Sequence, residues 1–524
     1  MKIIKAPFKF SGGVHPPDKK IFSNAAPLQD LPLPAILKVP FVQHLGAPAK
    51  AVVKKGDKVK RGDLIAAASG FISASVHAPT SGTVKGFESL PTAVGRSVEH
   101  CVIESDGLDE RSELLQPFPD WETRDVSELI ERVADAGVVG MGGAGFPTSV
   151  KINPPPNKKV HTLIINGAEC EPYLTADHRM MLDRTEDVWL GIQIVRKILD
   201  VKTVYICIEE NKQDAIEKFS KIECDDDVMI VSLKTYYPHG SEKQQIYVTL
   251  GYEVPSGGLP ADIGCVVGNI GTSVAVKEAV VDGWPLDSRC VTVTGEVVVN
   301  PGNFIVRCGT SYDELFEAAG GFRENPAKVI SGGPMMGFAV ANTDVTVTKT
   351  TSGILAQSLA QTMRFTSLPC ISCGRCNDVC PMKLLPSDMS CAIEADDIDA
   401  AIRLNVSDCF ECGCCSYVCP SHRPLVQHFR RAKGVAALNK MLKAKEMEEK
   451  AAQARAEAQK KCEIAHAESE AKIESDQIQV AVVKDEISRA WGESVDAHPG
   501  AEQSVEASNG KDDNAKPGEQ EITE

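Results

Sequence analysis

The chain has 524 residues, 43% hydrophobic and 24% charged, with a net charge of −16. That length and composition suit about three soluble globular domains, and an acidic balance of this size argues against a broad positive field for coating nucleic acid, so no nucleic-acid partner is expected. No apolar stretch approaches the ~18–20 residues that span a bilayer, and MKIIKAPFKFSGGVHPPDKK contains no apolar run of signal-peptide length, which predicts a cytoplasmic chain able to dock on integral partners.

Residues 1–29 read as an extended arm rich in Gly, Pro and Lys. Residues 30–115 read as short strands broken by turns at Gly56–Asp57, Gly62–Asp63 and Pro79-Thr80-Ser81-Gly82. This stretch resembles the barrel-sandwich domain of biotinyl and lipoyl carriers. That family modifies a lysine at a hairpin tip; the matching stretch here, Ser69-Gly70-Phe71-Ile72-Ser73-Ala74-Ser75, has none. The resemblance therefore implies an unmodified structural copy.

Residues 116–284 alternate helical and strand patterns. SELIERVADA (127–136) is an amphipathic helix, HTLIIN (161–166) and TVYICIE (203–209) are buried-strand runs, and a helical pattern at 186–199 lies between them. This is the rhythm of an α/β domain with a mainly parallel sheet. Residues 285–345 return to short strands, with VTVTGEVVV (291–299) expected to form a hairpin-like element.

Within the α/β stretch, Gly140-Met141-Gly142-Gly143-Ala144-Gly145-Phe146-Pro147-Thr148-Ser149-Val150-Lys151 is glycine-rich. Glycines allow backbone N–H groups to approach a phosphate, and Lys151 would add a point charge. The spacing is neither a dinucleotide-binding fingerprint nor a Walker A loop, and a plain turn is the competing reading. Asn166-Gly167-Ala168-Glu169-Cys170-Glu171-Pro172 follows a strand directly, where open α/β sheets bind ligands. Its amide and two carboxylates suit ribose or flavin-ring polar atoms. His239-Gly240-Ser241-Glu242 adds another glycine and carboxylate; helix capping by Ser241 is the alternative.

Eighteen cysteines in a large cytosolic chain read as metal ligands where they cluster. Residues 346–432 contain Cys370-x2-Cys373-x2-Cys376-x3-Cys380-Pro381 and Cys409-x2-Cys412-x2-Cys415-x3-Cys419-Pro420. This is the bacterial ferredoxin pattern, twice, in which the fourth cysteine serves the other cluster. One [4Fe–4S] cluster is assigned Cys370, Cys373, Cys376 and Cys419; the second takes Cys409, Cys412, Cys415 and Cys380. A pair of zinc sites fits poorly, because zinc favours two CxxC pairs across a longer loop. Cys414 reads either as a spare thiol or as a competing ligand, with the spacing favouring Cys415. Most of the other scattered cysteines read as small buried hydrophobes. Residues 433–524 turn Ala-, Lys- and Glu-rich with no apolar seam, predicting an exposed helix; residues 494–524 are expected to be disordered.

GMGGAGFPTSVK resembles the flavin- and NADH-binding loop of the NADH-oxidising flavoprotein subunit of respiratory complex I. Gly13-Val14-His15-Pro16-Pro17, the lysine-free barrel-sandwich, NGAECEP, GSEKQQIY, Val254-Pro255-Ser256-Gly257-Gly258-Leu259-Pro260 and the doubled ferredoxin motif resemble more closely the C-subunit family of Rnf electron-transport complexes, over residues 1 to about 432. The resemblance implies FMN on the α/β domain with NAD(H) against it, a soluble ligand-binding β-grasp module at 285–345, and a 2[4Fe–4S] ferredoxin domain. By position, Gly140, Gly142, Lys151 and Asn166 match flavin contacts, and Gly143, Phe146, Glu171 and Glu242 match the nicotinamide-nucleotide site; Glu169 and Gly240 complete the candidate set. Met141 and Ala168 depart from the complex I pattern, which has Arg and Asp there. The implied activity is reversible NADH oxidation, electrons passing from NADH to FMN to the two clusters within an ion-translocating NADH:ferredoxin oxidoreductase. The implied partners are the ferredoxin-like, flavin-carrying and integral membrane subunits, with ferredoxin or flavodoxin reached indirectly, and the implied location is peripheral, on the cytoplasmic face of the inner membrane. The alternative, motivated by Met141 and Ala168, is a cluster-bearing carrier or adaptor without its own NADH site.

Overall fold

The computed structural model describes residues 1–113, 116–362 and 365–491. The expected disorder at 494–524 lies outside them.

Five parallel strands form the central sheet, in the order Lys2–Lys5, Val228–Leu233, Thr203–Glu209, Thr162–Gly167, Cys265–Asn269. The apolar runs expected at 161–166 and 203–209 are two of its inner strands. Their residues are buried on both faces because helices cover both sides. The Thr185–Leu199 and Ile270–Val280 helices pack on one face, in close approach at Gly191. A Cβ there would lie 1.8 Å from the Ser273 carbonyl oxygen. The amphipathic helix read at 127–136 runs Val126–Asp135, with an Asp125–Glu128 capping box.

The N-terminal arm expected at residues 1–29 instead contributes strands to two sheets. Lys2–Lys5 adds to the edge of the central sheet, and Leu28–Asp30 pairs with Gly302–Arg307 in another. Both pieces are too short and too polar to read as strands alone. An existing sheet edge supplies their hydrogen bonds.

The barrel-sandwich is built from a four-stranded sheet (Ile36–Pro40, Ser97–Ser105, Gly82–Pro91, Lys58–Val59) and a three-stranded one (Lys50–Ala51, Leu64–Ala67, Val76–His77). Leu37, Val39, Ile65, Val84, Cys101 and Ile103 are fully buried between them. Gly56 and Gly62 turn the chain at φ +95° and +92°.

The β-grasp sheet pairs Ser288–Thr294 antiparallel with Gly302–Arg307 and parallel with Gly353–Gln357, over the Tyr312–Ala318 helix. It extends past the expected limit of 345. The hairpin expected within 291–299 is wider. The first strand stops at Thr294, and Val297 and Val298 are buried in the connection. Gly295, at φ +124°, passes so close to Ala356 that a Cβ would meet its carbonyl oxygen at 1.9 Å.

Lys349 is where the barrel-sandwich, α/β and β-grasp modules meet. Its buried ammonium donates to Ser75 O and Gly137 O, each at 2.7 Å. Burial lowers its pKa to about 8. The cysteine-rich stretch folds into short helices that pack on the start of the Leu425–Trp491 helix, whose Leu425, Val426, Phe429 and Ala432 are buried. From Asn439 to Trp491 that helix is exposed along its length, as its composition predicts. No helix among the described residues is long and apolar enough to cross a membrane.

Gly191→Ala is expected to destabilise the chain by about 1–3 kcal/mol through overpacking of the two helices. Thermal unfolding would show a lowered Tm, and an unchanged Tm would mean that the helices separate freely.

Candidate functional site

The strand order runs outward from Thr162–Gly167 in one direction and then places Cys265–Asn269 on its other side. The crevice beyond the carboxyl ends of those two neighbours is the switch point where open α/β sheets bind ligands. A cavity of about 1480 Å³ lies there. Its walls include the glycine loop, the NGAECEP loop, Gly240–Lys243, and parts of the barrel-sandwich and β-grasp modules. The structure therefore gathers Gly140, Gly142, Gly143, Phe146, Lys151, Asn166, Glu169, Glu171, Gly240 and Glu242 onto one cavity.

The glycine loop is pinned at both ends and open at its tip. Gly140 N donates to Phe146 O at 2.8 Å, and Met141 N donates to Thr272 Oγ1 at 2.9 Å. Gly142 packs on Asn269, where a Cβ would meet the side-chain amide at 2.9 Å. Gly142, Gly143 and Ala144 are exposed on the cavity wall. Among the described residues their N–H groups reach no protein acceptor. Free N–H groups on a tight loop are suited to receive a phosphate. The buried Thr148 hydroxyl, also on the wall, has no partner among the described residues either.

Two buried lysines hold the NGAECEP loop. Lys20 Nζ donates to the carbonyls of Glu169 (2.8 Å), Glu171 (3.0 Å) and Leu174 (2.5 Å). Lys212 Nζ donates to Ala168 O at 2.6 Å and lies 3.3 Å from Glu209 Oε2. Burial, reinforced by the nearby Lys212 charge, lowers the pKa of Lys20. The Glu169 carboxylate caps the Ala176–Asp183 helix, accepting from Asp177 N (2.7 Å) and His178 N (3.3 Å), with Glu169 itself at φ +46°. Its role in the structure is thus to shape the loop. The Glu171 carboxylate accepts from Met335 N (3.2 Å) and Met336 N (2.8 Å) of the β-grasp module, and Gly333 leaves room for it.

Asn166 Nδ2 donates to Gly240 O at 2.8 Å, while its Oδ1 accepts from Gln245 Nε2 at 2.7 Å. Lys151 and Glu242 form a 2.6 Å ion pair across the cavity wall. Ser241 occupies the N-cap position of the Glu242–Leu250 helix without a side-chain cap bond, so capping does not account for this segment. The two departures from the complex I pattern lie in the interior. The Met141 side chain packs in the main core, and Ala168 is fully buried.

The two cysteine runs repeat one backbone design. Ser372 and Glu411 are left-handed (φ +55° and +63°), as are Gly374 and Gly413 (φ +74° and +80°). Four-residue helices follow at Arg375–Asp378 and Cys414–Tyr417. Ser372 N and Glu411 N each donate to the first thiol of their run at 3.4 Å. Burial, together with the neighbouring thiols of Cys412, Cys409 and Cys380, pushes the Cys415 thiol up. Cys414 is fully buried against Val14, Tyr237 and Cys412. Of the scattered cysteines, Cys101, Cys207, Cys265, Cys290 and Cys308 are buried, while Cys391 and Cys462 are exposed.

The two regions touch. Tyr237 lines the cavity, and its hydroxyl donates to Cys412 O at 2.7 Å; Phe410 lines the cavity as well. Gln244 Nε2 donates to Pro381 O at 3.1 Å. Gly13 N donates to Val379 O and Val14 N to Tyr237 O, both at 2.8 Å, so the GGVHPP segment joins the two modules. Cys412 and Cys415 are buried on this side, whereas Cys370 and Cys373 are exposed.

Asp177, Asn269 and Thr272 fall outside the motifs read from the sequence, yet all three line the cavity. Asn269 Nδ2 donates to Asp177 Oδ2 at 2.8 Å. Burial, then the Glu169 charge, raises Asp177 to about 7. The available signal is an apolar strand ending in Gly-Asn before a helix, with Asn269 as N-cap. Lys20 and Lys212 carry no local signal.

Glu171 is raised from 4.5 to about 7, chiefly by burial and against its two backbone hydrogen bonds. A carboxyl raised on folding binds more protons in the native state, so its contribution is largest below about pH 4.5 and is lost as pH rises through 7. Glu171→Gln is expected to flatten the fall in stability between those limits in denaturant titrations. An identical pH profile would place the Glu171 carboxylate in water.

Four family models match in chain order: the RnfC barrel sandwich hybrid domain (residues 8–108), the Nuo51 FMN-binding domain (133–278), the SLBB domain (290–339) and the 4Fe-4S dicluster domain (362–420). The C-subunit of the proton-translocating ferredoxin:NAD(+) oxidoreductase complex of Clostridium ljungdahlii is 46% identical over 381 residues, covering 73% of this chain and 83% of that protein. The Na(+)-translocating counterpart of Acetobacterium woodii is 44% identical, covering 73% and 86%. The C-subunit of the ion-translocating oxidoreductase complex of Rhodobacter capsulatus is 44% identical over 431 residues, covering 82% and 83%. With its barrel-sandwich, FMN-binding, β-grasp and dicluster modules in this order, the chain belongs to the RnfC family, the C-subunits of Rnf ion-translocating oxidoreductase complexes.

Proposed function

We propose that this chain is the NADH-oxidising, reversible, peripheral subunit of a membrane-bound ion-translocating NADH:ferredoxin oxidoreductase, held on the cytoplasmic face of the membrane by the other subunits of its complex. The observation that carries this reading is the hydrogen bond from Tyr237, on the cavity wall, to Cys412, in the second cysteine run. It brings a nucleotide-sized cavity and a cluster-binding loop into direct contact.

In this reading the open N–H group of Gly142 faces the FMN phosphate, with Gly140, Lys151 and Asn166 around the flavin. Gly143, Phe146, Glu171 and Glu242 line the side that receives NAD(H), and Gly240 sets the position of Asn166. Lys151 and Glu242 neutralise each other on the cavity wall, where both remain partly exposed and open to a ligand. Cys380, Cys409, Cys412 and Cys415 would hold one [4Fe–4S] cluster against the cavity wall. Cys370, Cys373, Cys376 and Cys419 would hold the other, nearer solvent. Bound FMN supplies the change from hydride transfer to single-electron transfer, and the clusters carry the single electrons. The adaptor reading rests on Met141 and Ala168. Ala168 is buried away from the cavity, whereas Met141 packs in the main core and also lines the cavity, so only the Met141 departure changes the wall where a nucleotide would lie.

Cys412→Ser is expected to lower bound iron and acid-labile sulfide by about half while FMN stays bound. Under anaerobic conditions, NADH should bleach flavin in that variant and leave the remaining iron–sulfur absorption intact. Cys370→Ser should keep an NADH-reducible cluster. If dithionite reduces the clusters of the unmodified protein and NADH changes neither chromophore, the chain is a carrier without its own NADH site.

A further inference from the structure

The barrel-sandwich contributes a wall to the nucleotide cavity, and that wall is unusually apolar for a surface open to water. Phe71 is 81% exposed, Val94 53%, Leu45 52% and Ile72 36%, and all four line the one cavity. Phe71 and Ile72 sit on the loop between the Leu64–Ala67 and Val76–His77 strands. This is where the carrier family places its modified lysine, and here it holds an aromatic ring instead. Exposed apolar groups gathered on a concave wall mark a binding surface.

The loop is fixed in place. Ser73 Oγ donates to Ala47 O at 2.9 Å, and Ala74 N bonds His44 Nε2 at 3.1 Å. Leu45 N donates to Gly145 O at 3.1 Å, tying this wall directly to the glycine loop. The Lys349 ammonium holds Ser75 O and Gly137 O together. Phe71 is thus presented to the cavity by a braced loop, and little conformational entropy would be lost when a ring stacks on it.

Arg96 stands on the same wall, at the turn of the Gly82–Pro91 and Ser97–Ser105 hairpin. Among the described residues it makes no ion pair. An exposed aromatic ring and a guanidinium outside any ion pair, both on the wall of one cavity, complement a base and the phosphate it carries.

We propose that the barrel-sandwich wall is the adenylate subsite of the cavity: Phe71 stacks on the adenine ring of NAD(H), and Arg96 faces its diphosphate. The module then serves as half of the dinucleotide site. This rests on the reading of the cavity as an NAD(H) site, and it assigns the end of the dinucleotide remote from the nicotinamide.

Isothermal titration of the FMN- and cluster-loaded full chain, with ADP-ribose and nicotinamide mononucleotide as separate probes, tests it. Phe71→Ala should weaken ADP-ribose about tenfold and leave nicotinamide mononucleotide unchanged, while Phe71→Trp should retain the affinity of the original residue. Arg96→Gln should weaken ADP-ribose and flatten the salt dependence of its binding. Equal affinity of Phe71→Ala and the unmodified chain for ADP-ribose overturns the proposal while leaving NADH binding intact. An unmodified chain that binds FMN but neither NADH nor ADP-ribose overturns the dinucleotide reading itself.

Discussion

The site depends first on two ammonium groups buried beneath one loop. Lys20 comes from the N-terminal arm and Lys212 from the N-cap position of the Gln213–Ser220 helix; together they bind four carbonyls between Ala168 and Leu174. Moving such charges out of water is costly unless hydrogen bonds replace their hydration. The carbonyls do so, and the loop must then keep the shape that brings them together. That shape includes left-handed backbone at Glu169 and Tyr173. With the loop set, Glu169 caps the next helix and Glu171 reaches the β-grasp module.

A similarly small set of contacts joins the modules. Lys349 closes the junction behind the glycine loop, and Tyr237, Gln244 and the Gly12–Val14 segment close the junction in front of the cysteine runs. Gly12 approaches Cys380 so closely that a Cβ would meet its backbone at 2.7 Å. These junctions are made largely of side chain to carbonyl and backbone to backbone bonds. Apolar side chains pack around them, with Val14, Tyr237, Cys412 and Cys414 buried together at the junction with the cysteine runs. The cavity and the cysteine runs are therefore held in contact by directional bonds and a small buried apolar cluster together.

The cysteine runs are legible in the sequence because their chemistry is local. A tripodal set of thiols needs fixed spacing, left-handed turns and a proline stop, and all of these lie within a dozen residues. The α/β strands are legible for a similar reason, since a doubly covered parallel sheet demands continuous apolar runs. The glycine loop is legible as an anion cradle but not as a pinned one. Its anchors, Thr272 and Asn269, belong to a helix more than a hundred residues away. Glu169 is legible as a carboxylate at the end of a strand, but its commitment to the Asp177 and His178 amides requires knowing where the next helix starts.

The sequence by itself determined the order of modules, the doubled cysteine spacing and the candidate nucleotide loops, because each is written in spacing or periodicity over short distances. Only the tertiary structure decided that the arm contributes two strands and a buried lysine, that the hairpin after Thr294 is wide, and that the lysine-free barrel-sandwich lines the nucleotide cavity. Those features arise from partners far apart in the chain. An edge strand, a buried cation or a cavity wall has no local pattern, since its stability comes from the groups that the rest of the fold brings to it.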